Sequence, residues 1–214
     1  MLIHLTNALQ RRSGPAGVAV LAAAVLASLP SPLNAQSLFG AAEVDSQRFV
    51  LVAAPIGSST RSQLNIYEQL NNRKPCFAVG QGLPAPVNPL LSTFDFTGIC
   101  GRYIDANGYS VRIGGTDLAT VYRLMVTRGA DDLRLLAVPT KAGAGPEMVV
   151  ARSGGLASGF LKLELEPGWK LMRRRFGARS LGHLYLYRSD WPVAREGVGA
   201  ALPAGQPAAP PPVR

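Results

Sequence analysis

The 214-residue chain carries 22 Lys and Arg against 13 Asp and Glu, a formal charge of +9, with two Cys and two His. So few histidines and cysteines exclude zinc sites built on paired His or on Cys-x-x-Cys. The chain also lacks a P-loop, a G-x-S-x-G elbow and a dinucleotide fingerprint, because "GQGLPAP" and "AGAGPEM" run into prolines where a phosphate-binding helix should begin.

The chain opens on an export pattern. Arg11 and Arg12 form a basic n-region, Val18 to Leu29 is an unbroken small and apolar run, and Pro30 to Ala35 interrupts it at a cleavage point. The run is about a dozen residues, short of the roughly 20 that a spanning helix needs. Residues 1–35 are therefore expected to be a signal peptide cut after Ala35. An uncleaved anchor is the alternative, and the Arg pair leaves both the general secretory and the twin-arginine routes open. Residues 36–195 are expected to form one domain, and 196–214 a Pro/Ala-rich disordered tail that cannot bury enough apolar surface to fold.

Inside the domain the hydrophobic period is mostly two. "RFVLVAAP" (48–55) reads as a buried strand ending at a proline. Thr60 and Gln63 have capping-box spacing, and Leu64, Tyr67 and Leu70 recur every three residues, so the pattern predicts one short helix over 61–71. Beyond it come Cys76 in "CFAVG" and Cys100 in "FDFTGIC". In an oxidising compartment a Cys76–Cys100 disulfide across the Pro-rich loop is the leading reading, with two separate buried thiols as the alternative. Such a bridge closes a loop worth roughly 3 to 4 kcal/mol in the chain-entropy treatment. The rest reads as strands: "YRLMVTR", "LRLLAVP", "EMVVAR", "FLKLELE", "WKLMRRRF" and "HLYLYR". The fold class that follows is mainly β, a single β-sandwich or partly open barrel of about 8–10 short strands.

The stretch "RYIDANGYSVRIGG" (102–115) contains Asn107-Gly108, the dipeptide of a type I′ hairpin. Pairing outward from it would set Ala106 opposite Tyr109 and Ile104 opposite Val111, with Asp105 diagonal to Arg112. A calcium loop is the weaker reading, because Tyr109 and Val111 stand where oxygen ligands would be needed.

The positive excess is local. Residues 134–195 hold eleven basic and four acidic side chains, centred on "GWKLMRRRFGARS". An aromatic-interleaved basic run suggests nucleic acid in a cytosolic protein. In an exported one it permits an acidic polysaccharide, phosphorylated lipid headgroups or an acidic partner protein; an acidic polysaccharide or another envelope component is the leading reading, with membrane attachment only through the export signal. Trp169, Lys170, Arg173, Arg174, Arg175 and Arg179 are the expected ligand-binding surface. Alternation would put Arg173 and Arg175 on the face of Trp169 and Leu171, and Lys170 and Arg174 on the other. Two alternatives stand beside this binding module. One is a polysaccharide hydrolase using two of Asp95, Asp105, Asp117, Glu164 and Glu166. The other is a purely structural envelope protein. No catalytic residue, metal or cofactor is assigned.

The segments "VDSQRFVLVAAPIG", "LNIYEQL", "PCFAV", "PLLSTFDFTGICGRYIDANGYSVRIGGTDL" and "LGHLYLYR" resemble an uncharacterised family of exported cyanobacterial proteins, a domain of unknown function, over about residues 39 to 190. The resemblance implies export, one domain, and a periplasmic or extracellular setting. It supplies no activity.

Overall fold

The computed structural model describes residues 38–58 and 60–192; the expected signal peptide, its cleavage point and the tail lie outside them. The described residues form strands β1 (Gly40–Glu43), β2 (Phe49–Pro55), β3 (Ser62–Gln69), β4 (Phe77–Val79), β5 (Val87–Pro89), β6 (Cys100–Tyr103), β7 (Tyr109–Ile113) and β8 (Thr116–Asp117). They continue with β9 (Tyr122–Arg128), β10 (Leu133–Pro139), β11 (Met148–Arg152), β12 (Leu161–Lys162), β13 (Glu164–Leu165), β14 (Trp169–Phe176) and β15 (Arg179–Arg188). The fold is mainly β, as the period of two implies. The helical residues among those described are two 3-10 turns, Ser46–Arg48 and Leu90–Thr93.

Two sheets share one core. The first has the order β1-β14-β15-β7-β8, and its β15–β7 pairing is parallel. The second runs β12-β2-β3-β9-β10-β11-β13, with β6 also on β3. Its two ends, β12 and β13, are neighbours in the chain, so the segment from Leu161 to Leu165 brings the sheet almost back onto itself as a barrel. Leu163 sits at that seam and its N–H donates to the Leu51 carbonyl at 2.8 Å. Leu51, Ile66, Leu135 and Val150 from the second sheet pack with Val111, Leu171, Leu184 and Leu186 from the first.

The helix expected over 61–71 is strand β3. Its capping residue Gln63 instead donates to Asn65 Oδ1 on the same side of the strand, at 3.2 Å. The cause of the misreading is burial on both faces. Leu64 and Ile66 enter the main core, while Tyr67 enters a second one with Val50, Val52, Cys76, Val87, Leu91 and Cys100. The second core is covered by the loop between the cysteines, including the β4–β5 ribbon, and Cys76 and Cys100 are joined in a disulfide with Cα atoms 5.7 Å apart. A strand buried on both sides loses its alternation and mimics a helical spacing.

The hairpin expected at Asn107-Gly108 does not form. The chain does reverse there, with Asp105 Oδ1 accepting from the Asn107 N–H at 2.9 Å and the Asp105 carbonyl from Gly108 N–H at 2.9 Å. The strands on either side then join different sheets, β6 on β3 and β7 on β15. Gly108 has no positive φ. Its requirement is close approach, since a Cβ there would stand 3.0 Å from that of Tyr103.

Candidate functional site

A cleft of about 690 Å³ opens where the barrel seam meets β14 and β1. Phe49 and Leu51 from β2, Leu163 and Leu165 from the seam, and Trp169 and Leu171 from β14 form its apolar floor. The volume lies within the range of small-ligand sites. Its mouth carries two ion pairs, Lys170 Nζ to Glu43 Oε1 and Lys162 Nζ to Glu164 Oε1, each at 2.6 Å. Lys170 and its partner Glu43 are solvent-exposed, and such pairs are weakly held and exchange readily. Pairing lowers the Glu43 carboxyl below its ordinary value and raises the Lys170 ammonium, in both cases chiefly through their mutual hydrogen bond.

Arg173 is the next inward-facing residue of β14 after Leu171, and it carries a charge into the space between the sheets. Its guanidinium donates to Glu68 Oε1 at 2.6 Å and to the Tyr103 hydroxyl at 2.9 Å, and that hydroxyl donates to Glu68 Oε2 at 2.6 Å. Burial and then the bond to Glu68 push the Tyr103 phenol above its ordinary range. The closed triangle joins β14 to β3 and β6.

A second polar network covers the opposite face of the first sheet. Arg174 Nη2 and the Tyr185 hydroxyl both donate to Asp117 Oδ2, at 2.6 and 2.8 Å, and Arg174 Nε donates to the Tyr185 oxygen at 2.6 Å. The Tyr185 ring lies between the guanidinium groups of Arg112 and Arg174, at 5.1 and 4.9 Å. Beside it His183 Nδ1 donates to the Asn107 carbonyl at 2.8 Å, which leaves Nε2 to accept from Ser110 Oγ at 2.9 Å. A serine hydroxyl on an oriented imidazole is the geometry of an activated nucleophile. Here Ser110 and His183 are both buried, so the pair acts as a lock between β7 and β15.

A family model described as "Protein of unknown function (DUF3747)" matches residues 17–191. The chain belongs to that family. The DUF3747 match begins at Gly17, just before the apolar run Val18 to Leu29, and spans nearly all of the described residues. No curated protein and no solved structure gives a significant match.

The six residues of the basic run do not form one surface. Trp169 is only 6% exposed and lies in the cleft floor, with Lys170 at its mouth. Arg173 points inward and Arg174 outward, each committed to an acidic partner. A bulge between Arg173 and Arg175 breaks the expected alternation, and Arg175 donates to the Ala178 carbonyl of its own turn. Arg179 is exposed on the far side of that turn. The five acids considered for hydrolysis are likewise engaged. Asp95 and Asp105 accept from turn amides, Asp117 from Arg174 and Tyr185, Glu164 from Lys162, and Glu166 from Arg152.

His183 should make this family member sensitive to acid. Burial is the main reason its pKa falls below 6.5, with the Arg174 charge assisting and the Asn107 bond opposing. The folded state therefore takes up this proton later than the unfolded state. Stability is fully present above about pH 6.5 and is lost as pH falls through the depressed folded value. Urea midpoints should fall between pH 7 and pH 5, and His183→Gln should flatten that fall.

Proposed function

We propose that this protein is an exported, non-catalytic binding module that takes an apolar moiety into the seam cleft while the charged mouth holds the ligand's polar end. The observation that carries the reading is the cleft itself. Apolar side chains from β2, the seam and β14 converge on a space of about 690 Å³, and the ion pairs at its mouth can release one partner to a ligand. Export is supported by the leader pattern and by the closed Cys76–Cys100 bridge, a bond that persists in oxidising compartments. Of the residues expected from sequence to bind, Trp169 and Lys170 are the two that line this cleft.

Trp169 supplies the assay. Trp191 lies outside the lining and is replaced by Phe to leave a single indole. Titration of that Trp191→Phe protein with 11-bromoundecanoic acid should quench Trp169 fluorescence saturably. Adding Val79→Glu, a partly exposed lining position, should weaken the apparent affinity at least tenfold. Quenching that never saturates, or that Val79→Glu leaves unchanged, would remove the cleft as the site.

A further inference from the structure

We infer that the β14–β15 hairpin tip is a docking surface for an anionic lipid bilayer. Strand β14 runs from the cleft at Trp169 to Phe176, and seven residues of strand advance about 23 Å. The tip is thus a separate place from the ligand cleft and stands on its own observations.

At this end the chain exposes large apolar side chains. Phe176 is 52% exposed and Leu38 71% exposed. Phe39 meets the Phe176 ring edge-on at 6.2 Å, and the register that pairs Gly40 with Arg175 brings Leu38 beside the turn when continued. Two cations flank them: Arg175 hydrogen-bonds within the turn and Arg179 pairs with Phe176 across the hairpin. Arg174, already paired with Asp117, stacks over Phe39 at 4.8 Å and helps hold that ring in place. The Arg179 side chain is exposed and makes no hydrogen bond or ion pair among the described residues. From Pro167 to Ser189 the chain holds no Asp or Glu, and neither do the residues from Leu38 to Ala42.

Single exposed hydrophobes need no explanation, but an exposed apolar cluster at a hairpin turn flanked by arginines does. The apolar groups can sink below the headgroups while the guanidinium groups meet phosphates. An acidic polysaccharide would use the same arginines, yet it would gain little from the exposed Leu38 and Phe176 side chains.

The test reads insertion at the tip itself, and its arginine and headgroup controls separate that insertion from any membrane binding by the leader, which joins the chain close to Leu38. In the full chain carrying Trp191→Phe, Phe176→Trp places an indole at the tip, and Leu83→Trp places one on an exposed loop that packs on Gly154. Vesicles containing brominated phosphatidylglycerol should quench the Phe176→Trp protein at least twofold more than the Leu83→Trp protein. Arg175→Ser with Arg179→Ser should abolish the difference, as should vesicles of brominated phosphatidylcholine. Equal quenching at the two positions, or none at 176, overturns the proposal. Arginine-dependent retention on soluble alginate without lipid quenching also overturns it and assigns the tip to an acidic glycan.

Discussion

Replacing Arg173 with methionine should cost the fold about 3 to 5 kcal/mol, the usual penalty for removing one partner of a buried ion pair. The side chains of Arg173 and Glu68 are only 18% and 10% exposed. Without the guanidinium, the donor left to the Glu68 carboxylate among the described residues is the Tyr103 hydroxyl, and its charge is left uncompensated between the sheets. The triangle lies directly against the Gly101 backbone, where an added Cβ would stand 3.0 Å from Glu68 Oε2 and 3.2 Å from the Tyr103 oxygen, so a side chain at position 101 would crowd it. The decisive comparison is Arg173→Met with Glu68→Leu. Exchange of a whole buried pair for apolar groups is often near neutral, so the double variant should regain most of the loss in urea unfolding. An additive double variant would mean that the two side chains contribute independently and that the triangle is not a unit.

The reach of sequence reasoning follows the range of the interactions involved. The β2 run declared a strand because Val50 and Val52 face one core and Leu51 and Ala53 the other, and a continuous apolar run needs no partner to be read. The β3 segment has the same double burial. Its Asn65 and Glu68 interrupt the run, however, and their satisfaction by Tyr67, Arg173 and Tyr103 is visible only in three dimensions. Asp105 to Gly108 was legible as a reversal because turn chemistry is local, but nothing local says which sheet each flank joins. "FLKLELE" alternates like one strand and is in fact two, split at Leu163 so that each half pairs with an opposite end of the barrel. The cleft exists because of that split, so it had no signature of its own. Ser110 and His183 are likewise unremarkable in sequence and meet only because β7 and β15 pair in parallel.

Removing the disulfide by Cys76→Ala with Cys100→Ala should lower stability by roughly 3 to 4 kcal/mol, from the loop-closure entropy returned to the unfolded chain. Against the 5 to 15 kcal/mol typical of a whole domain this is a large share. The effect should also be unevenly distributed. The bridged loop is the lid of the second core, and it is held by Phe77, Phe94, Phe96 and Ile99 packing on Tyr67, Val50 and Val52. It is tied further where the Cys76 N–H donates to Gln69 Oε1 at 2.9 Å and where the Leu70 N–H donates to the Ile99 carbonyl at 2.9 Å. Loss of the bridge leaves these contacts to hold the lid alone. Amide exchange in β4 and β5 should therefore accelerate more than exchange in β10 and β11, which take no part in the second core. A uniform acceleration across both groups would show that the bridge acts only on the unfolded chain and that the lid has no separate opening. The outer faces of β2 and β3 would be the surface uncovered by such an opening, and that would set the bridge as the determinant of whether this sheet has one wetted face or none.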